Sequence, residues 1–210
     1  MTNEKANEIL AVLEQKYPEA HCELDYETDF QLLVAVILSA QCTDKRVNKV
    51  TKELFKVAST AQEFAVMSEE ELQPLIFSCG FYRNKAKSII SASRDIVERF
   101  EGKVPSDFDS LLSLKGVGRK TANVMMSVAF NEPAIAVDTH VFRVSNRLGL
   151  SNGKTPFDVE KDLSMLLSPE VHGKAHHLLI FHGRYCCKSQ RPICSDCPLT
   201  NECIYIKNSK

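Results

Sequence analysis

The sequence lacks the long apolar run that a membrane-spanning helix needs. Its most apolar stretch is residues 30–40, FQLLVAVILSA, about half of the roughly 20 residues that cross a bilayer. The first ten residues, MTNEKANEIL, are polar and amphipathic and have no signal-peptide core. We therefore expect a cytoplasmic protein with no membrane partner, and a buried helix over residues 30–40.

Strict alternation of apolar and polar residues is also missing, as are internal repeats and low-complexity tracts. The lack of a period of two disfavours an all-β fold. Apolar residues recur instead at spacings of three and four, which predicts an all-α protein. The predicted helices cover residues 5–16, 30–40, 44–57, 69–77, 84–100, 107–114, 119–130, 139–148, 157–167 and 171–183.

The chain also has no excess of positive charge, since its 26 Lys and Arg residues and 27 Asp and Glu residues give a net charge of −1. The charge is uneven, however, because residues 1–30 carry a net −6 and residues 31–210 a net +5. Single basic groups are usually solvated, but several together fit a stripe that contacts a nucleic-acid backbone. The basic groups are Arg83, Lys85 and Lys87; Lys115, Arg119 and Lys120; Arg143, Arg147 and Lys154; and Arg184, Lys188 and Arg191.

Two glycines separate two predicted helices in the segment LKGVGRKTA, residues 114–122. Glycine adopts backbone conformations that other residues avoid and lets a ligand approach the main chain. The first N–H groups of the second helix have no partner within it, and the helix dipole favours an anion there. The pattern fits an ordinary turn, or a phosphate-binding hairpin formed by Gly116, Val117, Gly118 and Arg119.

Lys120 lies in the first turn of that second helix, and Asp138 follows eighteen residues later in AIAVDTHVFR. A lysine on a helix surface is usually a solvated cation, but the positive end of a helix disfavours the ammonium form. A neutral lysine amine is a nucleophile that forms Schiff bases. Asp138 is suited to capping the helix over residues 139–148, and a capping carboxylate is held in one orientation. Lys120 and Asp138 are therefore the candidate catalytic residues.

Eight cysteines without an apolar leader indicate a reducing compartment rather than disulfides. Four of them have the spacing C-x6-C-x2-C-x5-C. Four thiolates bind a zinc ion or an iron–sulfur cluster, and unligated thiols are a third alternative. Only one tight C-x2-C pair is present, and the wider loops favour the cluster. The candidate metal ligands are Cys187, Cys194, Cys197 and Cys203.

Other cysteines and histidines near this group receive no metal role from the sequence. Cys186 precedes the first candidate ligand and is interpreted as a small packing residue. Four histidines lie on the helix that leads to the cysteines, and two of them have the spacing H-x3-H without a third ligand nearby. They are interpreted as packing or surface residues: His172, His176, His177 and His182.

The hairpin segment and the segment Val137–Val141 (VDTHV) resemble the helix-hairpin-helix/Gly-Pro-Asp superfamily of DNA glycosylases. Within it, the chain looks like the endonuclease III family, whose [4Fe-4S] ligand spacing the four cysteines match. The resemblance implies a bifunctional DNA glycosylase and abasic-site lyase of base excision repair. Its expected partner is double-stranded DNA with an oxidised pyrimidine or an abasic site. Lys120 would form the Schiff base, and Asp138 would assist.

The resemblance also implies two helical domains with a DNA-binding cleft between them, in a monomer that works at the nucleoid. A six-helix domain would span residues 22–132. A discontinuous domain, residues 1–21 plus 133–210, would carry the iron–sulfur cluster loop.

The same resemblance supplies further DNA contacts. The family fills the gap left by an extruded base with a glutamine and usually a leucine, and the matching residues are Gln41 and Phe81. In the loop after the first cluster ligand, Lys188 and Arg191 would contact the DNA backbone. The chain has Lys115 where the family usually has proline, which adds a positive charge at the hairpin.

Two alternatives remain at this point. A monofunctional mismatch or adenine glycosylase of the same superfamily would lack the lysine at position 120. A non-catalytic DNA-binding module would use the hairpin but would need no combination of Lys120 with Asp138.

Overall fold

The structure, a computed structural model, describes residues 1–207, which are helical and contain no β-strand. The all-α prediction is confirmed. None of the helices in this range is long and apolar enough to cross a membrane. Two short 3₁₀-helices occur at Pro169–Val171 and Cys194–Asp196. The α-helices are α1 (Asn3–Lys16), α2 (Asp29–Ser39), α3 (Asp44–Val57), α4 (Ala61–Val66), α5 (Glu69–Ile76), α6 (Tyr82–Arg99), α7 (Phe108–Ser113), α8 (Arg119–Val128), α9 (Thr139–Leu148), α10 (Pro156–Leu166), α11 (His172–Tyr185) and α12 (Ile204–Lys207).

Most of these helices begin at a side chain that caps them. A Thr, Ser or Asp before the helix accepts a hydrogen bond from a backbone N–H of the first turn. Each cap satisfies a donor that has no partner inside its helix and contributes about 1 kcal/mol. The capping residues are Thr2, Thr28, Thr43, Thr60, Ser68, Asp107, Asp138 and Thr155.

Helix α4 corrects the sequence-based prediction, which has no helix between α3 and α5. Its six residues are too few to show a helical period. A local signal exists, because Thr60 and Glu63 form a capping box in which each side chain binds the backbone N–H of the other. The helix is held by Phe64, which is fully buried with its ring centre 5.5 Å from that of Phe30.

Contacts between Cα atoms divide the chain into two compact units. The hairpin unit is Glu23–Phe130 and contains α2 to α8. The terminal unit joins Met1–Cys22 to the chain from Asn131 onward and contains α1 and α9 to α12. The hairpin unit therefore has seven α-helices where six are expected from the sequence, and α4 is the additional one.

Helix α2 forms the centre of the hairpin unit. Every residue from Phe30 to Leu38 is buried, as the apolar run predicts, and α2 packs on α3, α6 and α8. Burying one large aliphatic side chain contributes about 1.5–3 kcal/mol. Helix α8 turns its buried face, Ala122–Met125, into the same core. The start of α8 is thus supported by packing against α2, the most apolar helix of the protein.

Helices from both ends of the chain build the core of the terminal unit. Helix α1 packs on α11, and α9 packs on α10, α11 and α12. The start of α9 and the segment after α11 are therefore supported by a single core. Its buried side chains include Ile9, Leu13, Val141, Val144, Leu163 and Leu179.

Candidate active site and metal centre

A tight turn joins α7 to α8 and forms the hairpin predicted from the two glycines. Gly116 has a φ of 83°, and a Cβ at this position would lie 2.6 Å from the Cβ of Ser88. Only glycine fits there. Val117 is buried, and its N–H donates to the carbonyl oxygen of Leu114 at 3.1 Å. The buried Val117 side chain and this hydrogen bond therefore fix the shape of the turn.

Gly118 has a different environment from Gly116. It is the N-cap of α8 with an extended backbone (φ −94°, ψ 176°), a conformation open to any residue. Apart from Gly118 itself and its neighbours in the chain, no described residue has an atom within 4 Å of a Cβ built there, and no side chain among residues 1–207 caps α8. The first N–H groups of α8 thus adjoin open space at Gly118, an arrangement that suits an anion.

Arg119 and Lys120 occupy the first turn of α8, and both are exposed. The guanidinium carbon of Arg119 lies 5.1 Å from the centre of the Phe108 ring, a cation–π distance. The hairpin unit therefore offers an accessible amine beside a turn with the properties of an anion site.

Asp138 is the N-cap of α9 in the terminal unit, as predicted. Its Oδ1 accepts hydrogen bonds from the backbone N–H groups of His140 and Val141, both at 2.8 Å. Two bonds to one oxygen fix the orientation of the carboxylate. Lys120 belongs to the hairpin unit, so the two candidate catalytic residues come from different units.

Arg143, on α9, ties the segment that holds Asp138 to the end of α11. Its Nε donates to the carbonyl oxygen of Cys187 at 3.0 Å, and its Nη2 donates to that of Gly183 at 2.9 Å. Nη2 also lies 3.1 Å from Nδ1 of His140. The capping segment of α9 is thus hydrogen-bonded to the backbone of the first candidate metal ligand.

Gln41 and Phe81, the two predicted wedge residues, lie on neighbouring loops of the hairpin unit. Gln41 follows α2 with a φ of 52°, and Phe81 precedes α6 with a φ of 58°. A left-handed backbone costs a non-glycine residue on the order of 1–3 kcal/mol. A Cβ at Gly80 would lie 3.5 Å from the carbonyl oxygen of Gln41, so the loops run side by side. Both side chains are exposed, Phe81 by 64%.

The four cysteines with metal-ligand spacing line one pocket in the terminal unit. The pocket holds about 310 Å³ of space free of protein atoms, including its mouth. Five of the other side chains around it are apolar or aromatic: Leu148, Pro192, Ile193, Tyr205 and Ile206. The sequence spacing therefore identifies a set of thiols that the fold brings together.

His182 also lines the pocket and is more than a packing residue. Its Nε2 lies 3.7 Å from Sγ of Cys197, and its Nδ1 lies 3.2 Å from the hydroxyl of Tyr17. Burial, with a smaller effect of the Lys16 charge, lowers the pKa of His182 to about 4. The ring is therefore neutral, and it links the end of α1 to a candidate metal ligand.

Cys186 is the fifth thiol of the pocket. A ligand atom from each of His182, Cys186 and Cys197 lies within 4.8 Å of the other two. Its Sγ donates to the carbonyl oxygen of Ile193 at 3.4 Å, and burial raises the pKa of the thiol to about 11. A protonated thiol bonded to the backbone is consistent with the packing role expected from the sequence.

Arg147 of α9 braces the loop after the first cysteine. Its Nη1 lies 3.4 Å from Sγ of Cys187 and donates to the carbonyl oxygen of Lys188 at 2.8 Å, while Nη2 donates to that of Ser189 at 3.1 Å. Its guanidinium carbon lies 4.3 Å from the centre of the Tyr205 ring. A single side chain therefore positions one candidate ligand and the backbone that follows it.

Three cations of the expected nucleic-acid stripe have structural roles instead. Arg143 and Arg147 bind backbone carbonyl groups as described above. Lys85 is buried, and its Nζ donates to the carbonyl oxygens of Leu38 at 2.9 Å and Ala40 at 2.7 Å. Charge spacing cannot reveal such roles, because each of these side chains binds a carbonyl group at least 40 residues away in the chain. Lys188 and Arg191 remain exposed.

Comparisons with known proteins decide the family. The family model described as HhH-GPD superfamily base excision DNA repair protein matches residues 34–169. Endonuclease III of Bacillus subtilis (strain 168) is 53% identical over 188 residues, which are 89% of this chain and 86% of that protein. The chain belongs to the endonuclease III family. Endonuclease III of Rickettsia conorii is 46% identical over 204 residues, 97% of each chain.

A solved endonuclease III structure shares the fold over the whole chain. It is described as a trapped endonuclease III–DNA covalent intermediate, with a TM-score of 0.95 and 47% identity. The alignment covers 100% of this chain and 99% of that one. In that endonuclease III the protein is covalently joined to DNA, and the family region 34–169 of the present chain contains both Lys120 and Asp138.

Two residues that contact the thiol pocket, Arg147 and His182, are not predicted as such from the sequence. Arg143 and Arg147 are four residues apart on α9, and that i, i+4 spacing is the signal that places them on one face of the helix. For His182 the only signal is its position five residues before Cys187. The thiols and the imidazole together form a group that can bind a metal.

Proposed function

We propose that this chain is a bifunctional DNA glycosylase and DNA-(apurinic or apyrimidinic site) lyase of base excision repair that removes oxidised pyrimidines. The observation that carries the proposal is Lys120, an exposed lysine in the first turn after a glycine hairpin. A chain of the endonuclease III family that has this lysine can couple base removal to strand cleavage. A non-catalytic module could use Lys120 as a phosphate contact but would not need it together with Asp138.

Lys120 would act as the nucleophile. Its neutral Nζ attacks C1′ of the extruded nucleotide, and the C1′–N bond breaks as the base leaves with the bonding electrons. Opening of the sugar ring gives a Schiff base between Nζ and C1′. The Schiff base acidifies the C2′ proton, and its loss expels the 3′ phosphate by β-elimination. Cleavage on the 3′ side of the lesion follows from the same covalent intermediate.

Asp138 would supply a fixed negative charge. Its Oδ1 is held by the N–H groups of His140 and Val141, so the carboxylate needs no reorganisation when positive charge develops at C1′. It is also suited to accept the proton that Lys120 must lose before attack. Both roles require an orientation fixed in advance, which the helix cap provides.

The hairpin would hold the DNA backbone while other residues fill the gap left by the base. Open space at Gly118 and the N–H groups of α8 suit a phosphate, with Arg119 beside them. Extruding a base costs a few kcal/mol. Gln41 and Phe81 are exposed on adjacent loops, and they would stack into the vacated space. Gly116 and Val117 would set the shape of the turn.

We propose a [4Fe-4S] cluster as the group bound by Cys187, Cys194, Cys197 and Cys203. Zinc bound at about 2.3 Å by four sulfurs would place them about 3.8 Å apart. Within residues 1–207, the only group of three or more ligand atoms that lie within 4.8 Å of one another comes from His182, Cys186 and Cys197, so no three of the four cysteines are that close together. Ligands spaced more widely than zinc requires suit the larger cluster. When bound, the cluster would serve as a structural cross-link.

The loop tied by the cluster would add a DNA contact. Lys188 and Arg191 are exposed on it, and Arg147 fixes the backbone at Lys188. Rigid cations of this kind bind backbone phosphates without reading sequence. We further propose that the hairpin unit and the terminal unit are the two domains of a monomer that acts on damaged double-stranded DNA in the nucleoid.

Borohydride trapping tests the proposal. The protein is incubated with a duplex that contains an abasic site or thymine glycol, and borohydride reduces any Schiff base to a stable adduct. We expect an adduct with the wild type and with Lys115→Ala, a neighbouring exposed lysine, but none with Lys120→Ala. Absence of an adduct with both substrates would overturn the lyase assignment, and base release without an adduct would indicate a monofunctional glycosylase.

Metal analysis tests the cluster separately. We expect iron and acid-labile sulfide in equal amounts, with loss of both in Cys194→Ala. Zinc without iron would contradict the cluster assignment.

A further inference from the structure

The loops that carry Gln41 and Phe81 are joined by several contacts in the hairpin unit. Gly80 approaches the Gln41 carbonyl oxygen closely enough that a Cβ there would be in van der Waals contact. Lys85 of α6 donates hydrogen bonds to the carbonyl oxygens of Leu38 and Ala40 at the end of α2. The end of α2 therefore lies against the start of α6, and the two loops are adjacent in the DNA-free protein.

Two thiols face each other within this contact. Cys42 follows Gln41 directly, and Cys79 precedes Phe81 by two residues. The side chain of Cys42 lies close enough to that of Cys79 to influence its pKa. Cys79 is fully buried, whereas Cys42 is partly exposed. An oxidant from solvent therefore reaches Cys42 first, and the buried Cys79 is next to it.

The charges around the pair favour reaction at one thiol and resolution by the other. Burial, and then the neighbouring Cys42, raises the pKa of Cys79 to about 11, so Cys79 stays protonated. The Lys85 ammonium lies close enough to interact with both sulfurs, and a nearby cation stabilises a thiolate. The more exposed Cys42 is thus the member of the pair that meets an oxidant from solvent.

We propose that Cys42 and Cys79 are an oxidisable pair that forms an intramolecular disulfide and clamps the two loops together. The oxidant is a peroxide. The Cys42 thiolate attacks one peroxide oxygen, the O–O bond breaks, and Cys42 becomes a sulfenic acid with release of hydroxide. The sulfur of Cys79 then attacks Cys42, the S–O bond breaks, and water leaves with the Cys79 proton. Two thiols lose two electrons, and the peroxide is reduced to water.

Outside the metal pocket, the geometry fits this bond better than any other pairing of the described cysteines. A disulfide needs Cα atoms about 4.4–6.8 Å apart, and the close approach of Gly80 to Gln41 brings their chain neighbours Cys79 and Cys42 together. Cys22 belongs to the terminal unit, and the remaining five cysteines line the metal pocket. The bond would close a chain segment of 38 residues, counting both cysteines.

The consequence for DNA rests on the proposed function, in which Gln41 and Phe81 enter the duplex. In a substantial minority of complexes, binding loops rearrange to fit their partner. A disulfide immediately beside both residues would hold them at the spacing of the DNA-free protein. The oxidised protein would therefore bind lesion-containing DNA more weakly than the reduced protein.

Peptide mapping tests the bond without DNA. The cluster-containing full chain is treated with hydrogen peroxide, the remaining thiols are alkylated, and the digest is analysed by mass spectrometry. We expect a Cys42–Cys79 linked peptide, two hydrogen atoms lighter than its parts and released by dithiothreitol. It should be absent in Cys42→Ser and in Cys79→Ala and present in the control Cys22→Ser. Linkage to any other cysteine, or none, refutes the proposal.

Duplex binding tests the consequence. Peroxide-treated wild type should bind an abasic-site analogue severalfold more weakly than reduced wild type, with recovery after dithiothreitol. Treated Cys42→Ser, which keeps every pocket cysteine, should bind as its untreated form does, and its cluster absorption reports any damage by peroxide. Equal affinity of the linked and reduced wild type would refute the effect on DNA. Peptide mapping uses no DNA, so a missing Cys42–Cys79 link refutes only the disulfide. A missing borohydride adduct refutes only the proposed chemistry of Lys120.

Discussion

Arg147 and Cys187 are joined by a contact of 3.4 Å between guanidinium Nη1 and thiol Sγ. The same guanidinium binds the two carbonyl groups that follow in the chain, those of Lys188 and Ser189. A planar fork with several donors can hold three acceptors at once, which an ammonium on a flexible stem cannot. The first candidate ligand and its loop are therefore positioned from α9 by one side chain.

Replacement of Arg147 should weaken retention of the bound group. Residues that orient metal ligands typically contribute about 10–100-fold in metal affinity. We expect Arg147→Met to lose iron to a chelator at least about tenfold faster than the wild type, with Arg147→Lys in between. Loss of the visible absorption of the cluster measures the rate. Equal rates in all three proteins would show that the contact does not hold the ligand.

Substitutions at Asp138 should separate capping from catalysis. Asparagine caps helices about as well as aspartate, whereas alanine costs about 1 kcal/mol. We expect Asp138→Asn to unfold in urea like the wild type and Asp138→Ala to be less stable by that amount. Both should reduce the rate of base release about 10²–10⁴-fold, the usual contribution of a general acid or base. An active Asp138→Asn enzyme would leave capping as the only role.

The two hairpin glycines should respond differently to alanine. Gly116 has a positive φ and Ser88 against its missing Cβ, so Gly116→Ala should lower the free energy of unfolding by about 1–3 kcal/mol. Gly118→Ala meets no neighbour and should cost under about 1 kcal/mol. Its methyl group would occupy the space expected for a phosphate, so DNA affinity should fall. Fluorescence anisotropy with a lesion duplex and urea unfolding distinguish the effects, and unchanged affinity in Gly118→Ala would argue against a phosphate at the hairpin.

His177 should make the protein less stable in acid. Burial, with smaller effects of His21 and Arg184, lowers the pKa of His177 from 6.5 to about 4, and the ring of His176 packs on it. The folded state thus favours the neutral ring, and the stability this provides is complete above pH 6.5. It is lost progressively as the pH falls from 6.5 through about 4.

Urea unfolding across that pH range checks the effect. The free energy of unfolding of His177→Gln should fall less steeply with acid than that of the wild type. The variant His21→Gln serves as the control and should retain most of the wild-type slope. Parallel slopes for wild type and His177→Gln would show that other groups govern the loss.

Local patterns predicted the parts of the fold and site that depend on neighbours in sequence. The apolar run predicted α2, and the Gly-x-Gly segment predicted the hairpin. The position of Asp138 before α9 gave the cap. Each of these features is decided within a few residues, where helical periodicity, backbone freedom and capping operate.

Features decided by distant partners escaped the sequence analysis. Lys85 belongs to a basic group in the sequence, yet it is buried against carbonyl groups at the end of α2. His182 contacts a cysteine only because α11 and the loop after it fold back on each other. The short helix α4 escaped for another reason, since six residues hold less than two turns and its signal lies in the cap.

The packing of α1 on α11 sets an order of events during synthesis. Helix α1 ends at Lys16, and its partner begins at His172. At 5–20 residues per second, the ribosome needs roughly 8–30 s to make the intervening chain. The hairpin unit is complete in the meantime, while Ile9 and Leu13 of α1 lack the core that buries them. Helix α1 therefore leaves the ribosome before the other described helices but is among the last to reach its final place.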